Sequence, residues 1–247
     1  LMRKIVLTFC LQILFFSVLA QEKTVNTVEQ AWFGYFNQTR LTDRSGIWLD
    51  PQLRFTDNFV DRAGLSILRA GYIYFINDNV RLTAGYGYIT AYSGSDAVPN
   101  IPEHRPWQQI QWFDKHKHFN MMQYVRLEER FRRKSNGTDL LDDYLFTYRI
   151  RYNMAFTIPL KSGGVQPKTP FAFVNNEILI NAGKEVVNNY FDQNRFFAGF
   201  GYQFTKSLNA QIGYLNVFVA QPVPYTFTNL HAIRLFVFHN LDLRKEK

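Results

Sequence analysis

The sequence predicts an all-β protein: an antiparallel transmembrane β-barrel of about ten to twelve strands, twelve preferred, behind a cleavable signal peptide. Three observations predict it. First, from Tyr144 to Ile158 every second residue is apolar or aromatic (Tyr144, Phe146, Tyr148, Ile150, Tyr152, Met154, Phe156, Ile158), and the residues between are mostly polar. A period of two over that length means one extended strand with two chemically different faces. Soluble sheets rarely use strands this long, whereas a tilted crossing of hydrocarbon does. Second, aromatic residues make up 17% of the chain, with 24 Phe and 14 Tyr, yet mean hydropathy is −0.22. Alternating strands reconcile the two, because one face reaches membrane-level hydrophobicity while the average stays polar. Third, residues 1–20 have the plan of a secretion signal. Arg3 and Lys4 precede an apolar run from Ile5 to Phe16, broken only by Thr8, Cys10 and Gln12, and Ser17 to Ala20 supply the short residues of a cleavage site.

These features divide the chain into a signal peptide, 1–20, and one barrel domain, 21–247. The single cysteine, Cys10, falls in the signal, so the mature chain has no thiol chemistry. Past the signal no apolar stretch approaches the length of a membrane helix. The formal charge of +8 includes Arg3 and Lys4. Nucleic acid is a poor explanation for basic residues scattered along strands of a secreted chain. The expected partners are outer-membrane lipid and a small anionic solute, and the expected location is the bacterial outer membrane.

In chain order, strands are expected at 28–39, 46–56, 64–76 and around Val80 to Tyr88, where Val80, Leu82, Ala84, Tyr86 and Tyr88 alternate with Arg81, Thr83, Gly85 and Gly87. They continue at 102–114, around Val125 to Phe131, at 144–158 and at 170–181. The last three lie at Phe196 to Phe204, Leu208 to Phe218, and 229–243. Tight connections at Asn77-Asp78-Asn79, Asp114 to Lys117 and Thr205-Lys206-Ser207 suit the periplasmic side. Longer links at 92–102, 134–141, 182–191 and 220–228 suit the extracellular side. Pro159 to Pro170, with Gly163-Gly164, is long for the periplasmic turn that the alternation requires. This reading yields eleven strands. Bacterial barrels normally have an even number, so a missed strand before Ser66, or an N-terminal segment outside the wall, is expected to restore it.

Several blocks of sequence point to a family. Leu68-Arg69-Ala70-Gly71-Tyr72 and Ala84-Gly85-Tyr86-Gly87-Tyr88 come first. Arg105-Pro106-Trp107-Gln108-Gln109, Val125-Arg126-Leu127-Glu128-Glu129-Arg130-Phe131 and Asn176-Glu177 follow. Asp192-Gln193-Asn194-Arg195 with Gly199-Phe200-Gly201-Tyr202 completes the set. In this order they resemble domain-of-unknown-function family 2490, a group of predicted outer-membrane barrels found largely in Bacteroidota. The resemblance spans nearly the whole mature chain. It implies location and architecture, and brings no established activity. One departure from outer-membrane practice is the ending, where Phe236 and Phe238 are followed by Leu241 to Lys247 instead of closing the chain.

The arginines are the candidate functional groups. Arg126, Glu128 and Arg130 share one face, Arg149 and Arg151 lie on the polar face of the next strand, and Glu177 and Arg195 join them, with Arg54 and Arg69 as further members. Two readings stand open for this lumen lining. Either opposite charges satisfy one another in a filled interior, the default for such barrels, or a basic lining selects anions. Gly85, Gly87, Gly199, Gly201 and Gly213 point to the same side, where tyrosine or arginine side chains are expected to lie over bare backbone.

Other candidates are weaker. His116 and His118, with Asp114, have the spacing of a metal site only if they lie on a strand, and the segment reads as a turn. Glu103-His104 beside Arg105 has acid–base potential but no nucleophile, and Ser93 and Ser95 have no distinctive spacing to His104. Trp32, Trp48, Trp107 and Trp112 suit either interfacial girdles or interior packing. No catalytic residue, metal or cofactor is therefore expected. The leading functional reading is a non-enzymatic outer-membrane barrel, structural or passing a small solute, with a narrow Arg/Glu-lined lumen. The alternatives are a barrel-borne enzyme acting on envelope lipid, and a secreted soluble barrel holding an apolar ligand.

Overall fold

The alternating stretches become eleven strands: β1 Thr24–Arg40, β2 Ser45–Thr56, β3 Arg62–Phe75, β4 Val80–Ala91, β5 Ile101–Lys115, β6 Asn120–Ser135, β7 Leu140–Pro159, β8 Thr169–Ala182, β9 Phe191–Gln203, β10 Leu208–Ala220 and β11 Thr226–Asp242. The computed structural model describes residues 23–244, so the expected signal peptide at 1–20 lies outside the described residues. The strands run from 12 to 20 residues, against the roughly 9–11 that a tilted strand needs to cross hydrocarbon.

Each strand from β1 to β10 pairs antiparallel with its successor, and β11 closes the barrel on β1. That closing pair is parallel along the whole of β1, from Thr24 opposite Thr226 to Arg40 opposite Asp242. The preference for twelve strands is thereby corrected. Two strands running in the same direction can close an odd sheet, and β1, β2 and β3 all lie in the wall with no further strand before Ser66 among the described residues.

Short connections at 41–44, 76–79, 116–119 and 204–207 gather at one end of the barrel, together with 160–168; the other end carries 57–61, 92–100, 136–139, 183–190 and 221–225. Side chains close the short turns. Asn77 Oδ1 accepts the backbone N–H groups of Asn79 and Val80, each at 2.8 Å, and Thr205 Oγ1 accepts those of Ser207 and Leu208, the Asx- and ST-turn geometry that frees the chain to reverse. In 160–168 the positive φ of Gly163 and Gly164 lets a longer segment fold back on the same side.

Because side chains alternate, the wall has an oily outer face and a mixed inner one. Leu68, Tyr72, Tyr86, Ile150, Ile180, Phe200, Ile212 and Ile233 face outward and are exposed. Arg69, Glu128, Arg149 and Arg151 face inward and are buried. The inner face also carries a hydrophobic cluster that includes Trp32, Phe171, Phe173, Phe197, Leu215 and Phe236, on β1 and β8 to β11. Inward glycines make room for it. A Cβ on Gly201 would sit 2.2 Å from the Phe171 ring, and one on Gly85 would sit 2.8 Å from Trp107. The covering side chains are thus mainly Phe and Trp, with Arg69 over Gly87, and not the expected tyrosines, most of which are spent on the outer face. Two prolines interrupt the ladder. Pro51 lies where β1–β2 pairing skips from Gly34–Gln52 to Asn37–Leu49, and Pro106 where β5–β6 pairing skips from His104–Phe131 to Trp107–Glu128, since proline has no N–H to donate.

Candidate functional site

Across the middle of the lumen the inward charges meet in one network. Glu128 on β6 is its hub and is fully buried. It accepts Arg149 at 2.5 Å and Arg151 at 2.7 Å, with Arg105 at 3.7 Å and Arg69 and Arg126 at 3.9 Å. The register explains the meeting: Glu128 pairs with Arg149 on β7 and with Trp107 on β5, and Arg151 is the next inward position along β7.

Further carboxylates extend the network. Arg151 also reaches Glu177 on β8 at 2.6 Å, and Glu177 receives Arg195 on β9 at 3.3 Å and the Tyr124 hydroxyl. Arg69 holds Asp50 at 2.7 Å. Glu103 receives Arg130 in a fork of 3.0 and 3.1 Å as well as Arg105, and Arg149 extends to Asp192 at 3.0 Å. Forked guanidinium–carboxylate bonds of this kind fix geometry as well as charge.

This network stands between two cavities. One, of about 300 Å³, reaches the short-turn end, where Gln38, Arg81, Phe113 and Asn240 line it. The other, of about 470 Å³, reaches the loop end, where Thr56, Arg62, Tyr92 and Arg132 line it. Trp32, Arg54, Arg69, Arg151 and Arg195 line both and so form the septum between them.

Of the residues read from sequence, Arg126, Glu128, Arg149, Arg151 and Glu177 are buried in the lumen, and Arg130 and Arg195 are partly buried beside them. All seven belong to the network. Asp50, Glu103, Arg105 and Asp192 were not read as members. Arg105 and Asp192 stood inside the sequence blocks already singled out, and Glu103 sits two residues from Arg105 on the same face. Asp50 shares its face with Arg54 in a strand where Ile47, Leu49, Leu53 and Phe55 alternate, so period two places it inside as well. Arg234, buried, and Arg81, half-buried, are further inward arginines, bonded to Gln211 and Gln111.

The weaker candidates lie elsewhere. Ser93 donates to the Val98 carbonyl at 2.6 Å within its own loop, while His104 faces outward and bonds the Tyr86 hydroxyl. His116 lies in the turn 116–119, stacked on Phe119. Trp32, Trp48 and Trp107 are buried in the lumen. At the short-turn rim, Arg40 at the end of β1 bonds Asp78 in the turn 76–79 at 2.6 Å and holds its carboxyl below the usual range.

The sequence profile of a family described as "Protein of unknown function (DUF2490)" matches residues 29–227. No curated protein and no solved structure matches the chain.

Proposed function

The chain belongs to the DUF2490 family, proteins of unknown function, and from that premise we propose that it is a non-enzymatic β-barrel of the bacterial outer membrane whose lumen is closed by an ion-paired septum. The observation that carries the membrane reading is the distribution of polarity. The outward face is apolar around the barrel, with Phe200 at 64% and Leu68 at 55% exposure, while Arg69, Arg149, Arg151 and Glu128 are buried inside. Water-soluble proteins rarely expose continuous apolar surface on this scale, and lipid-facing barrel walls require it. A soluble barrel holding an apolar ligand would need the reverse arrangement, with its guanidinium groups toward solvent. The short-turn end is then the periplasmic side and the loop end faces outward.

The septum favours a closed barrel over an open pore. Ion pairs drawn from seven strands, β2, β3 and β5 to β9, lie between the two cavities, so any solute that passes must displace them. Membrane retention after a carbonate wash and a heat-dependent gel shift are the expected results. A mature protein that stays in solution without detergent overturns the location. In planar bilayers the barrel is expected to remain at baseline conductance, and a steady open-channel current would overturn the closed lumen.

A further inference from the structure

We propose that the cavity at the short-turn end is a binding site for a small organic anion: an acidic head group on a compact apolar body. This goes beyond the closed-barrel reading and rests on the lumen alone, whichever solvent surrounds the wall. Four arginines on this cavity lack a carboxylate of their own: Arg81, Arg126 and Arg234, which line it alone, and Arg54, which also reaches the other cavity through the septum. Among the described residues Arg54, Arg81 and Arg234 form no salt bridge, and the one contact of Arg126 is Glu128 at 3.9 Å, a carboxylate already engaged by Arg149 and Arg151.

Each of the four is held by neutral groups instead. Arg81 donates to Gln111 at 3.0 Å, Arg126 to Gln109 at 2.9 Å, Arg234 to Gln211 at 3.0 Å and Arg54 to Gln52 at 3.4 Å. Their guanidinium carbons lie over aromatic rings: Arg234 3.3 Å from the Phe197 centroid, Arg54 3.5 Å from Trp32, and Arg81 and Arg126 4.3 Å from Phe113 and Trp107. Rings and amides orient a guanidinium without cancelling its charge. Arg234 Nε and Trp48 Nε1 have no acceptor, and both side chains are more than nine-tenths buried.

The two carboxylates on the cavity wall, Asp50 and Glu177, are already occupied by Arg69, Arg151 and Arg195. In the loop-end cavity, by contrast, Arg105, Arg130 and Arg149 face Glu103, Glu128 and Asp192. Among the described residues, the inward arginines without a carboxylate that line one cavity only, Arg81, Arg126 and Arg234, are all on the short-turn side; on the loop-end side Arg132 is unpaired but exposed at the rim, and Arg54 is shared. Buried charge without a partner is costly, and a carboxylate, sulfonate or phosphate supplies acceptors for several N–H edges at once. Phe36, Trp48 and Phe236 add apolar wall for the rest of the ligand. A volume of about 300 Å³ sits at the small end of the roughly 300–1,000 Å³ range of ligand pockets.

Isothermal titration of the full chain, folded in a non-ionic detergent, with sodium naphthalene-2-sulfonate tests this. One saturable site per barrel is expected, with naphthalene-2-methanol, its uncharged counterpart, binding at least tenfold more weakly. Losing one charge-assisted bond costs about tenfold or more in affinity, so Arg81→Gln and Arg234→Gln should each weaken binding by that factor. Arg132→Gln, on the rim of the other cavity, should not. Both cavity variants must retain the heat-dependent gel shift. If Arg234→Gln loses it, Arg81→Gln near the mouth carries the comparison, and the charged against uncharged probe decides the matter without any variant. Absence of saturable binding, equal affinity for the uncharged probe, or unchanged affinity in the folded cavity variants overturns the site. Equally tight binding of inorganic sulfate overturns the organic body.

Discussion

Glu128 shows what a single carboxylate does when it faces five guanidinium groups within 3.9 Å. Its contribution is not a simple sum of attractions, because taking all these charges from water costs several kcal/mol per ion, offset only while the pairing is complete. Removing the hub charge leaves Arg149 and Arg151 dependent on their second partners. Glu128→Gln is accordingly expected to destabilise the barrel by about 3–5 kcal/mol, read as a lower midpoint of urea unfolding or of the heat-dependent gel shift. Asp142→Asn is the contrast. Asp142 pairs with Arg133 but its side chain is fully exposed, and surface pairs contribute little, so that variant should leave the midpoint where it was. At this scale the sequence was legible wherever alternation was clean: Arg126, Glu128, Arg149 and Arg151 could be placed inside from period two alone. Membership of the network was less legible for Asp50 and Glu103. Both are close to a proline that breaks the ladder, Pro51 and Pro106; Glu103 stands in no run of alternating apolar residues, and Asp50, although Ile47, Leu49, Leu53 and Phe55 alternate around it, has its basic partner Arg69 on a different strand.

Strands were legible for the same reason, and their limits are instructive. Alternation gives strand and face but not what the inner face packs against. In β10 and β11 it fades: Tyr214-Leu215-Asn216-Val217-Phe218-Val219 and Leu235-Phe236-Val237-Phe238 are apolar on nearly every residue. Loss of alternation marks strands covered on both faces, and here it reports the hydrophobic cluster that fills the lumen beside β1 and β8 to β11. That signal was present and pointed to a lumen partly packed with Trp and Phe in addition to Arg, Glu, Tyr and Gln. Glycine positions are the complement of the cluster. Gly201→Val should force the Phe171 ring, 2.2 Å from the new Cβ, and overpacking of this kind costs about 1–3 kcal/mol. Gly137→Val, at a loop tip with nothing within 4 Å, meets only backbone strain at its positive φ. Unfolding midpoints of the two variants should separate packing from backbone effects. The blocks that carry the family resemblance have a shared physical use. Arg69, Arg105, Arg126, Glu128, Arg130, Glu177, Asp192 and Arg195 all come from them, and all belong to the ion-pair network of the lumen.

For the whole molecule, strand count was the feature that sequence reasoning resolved least well. The sequence contains eleven alternating segments, while the even number usual in bacterial barrels favours twelve. No local pattern reveals that the first and last strands run the same way, because that depends on how the sheet closes. A double substitution checks the closure directly. Phe33 and Leu235 are register partners across the β1–β11 pair, and Phe33→Cys with Leu235→Cys should form a disulfide on mild oxidation, since neighbouring strands bring Cα atoms within about 4.4–6.8 Å. Failure to cross-link in the folded barrel would contradict the parallel closure. Every other neighbouring pair is a hairpin formed between segments adjacent in sequence, but β1 must find β11 from about two hundred residues away, with the slow kinetics of non-local pairing. Until it does, the chain is a curled sheet with two raw margins, each a ready template for a strand from another molecule. The step that finishes this protein is thus also its point of greatest exposure to misassembly, and slowing it should yield chains stitched to one another before it yields chains that are merely unfolded.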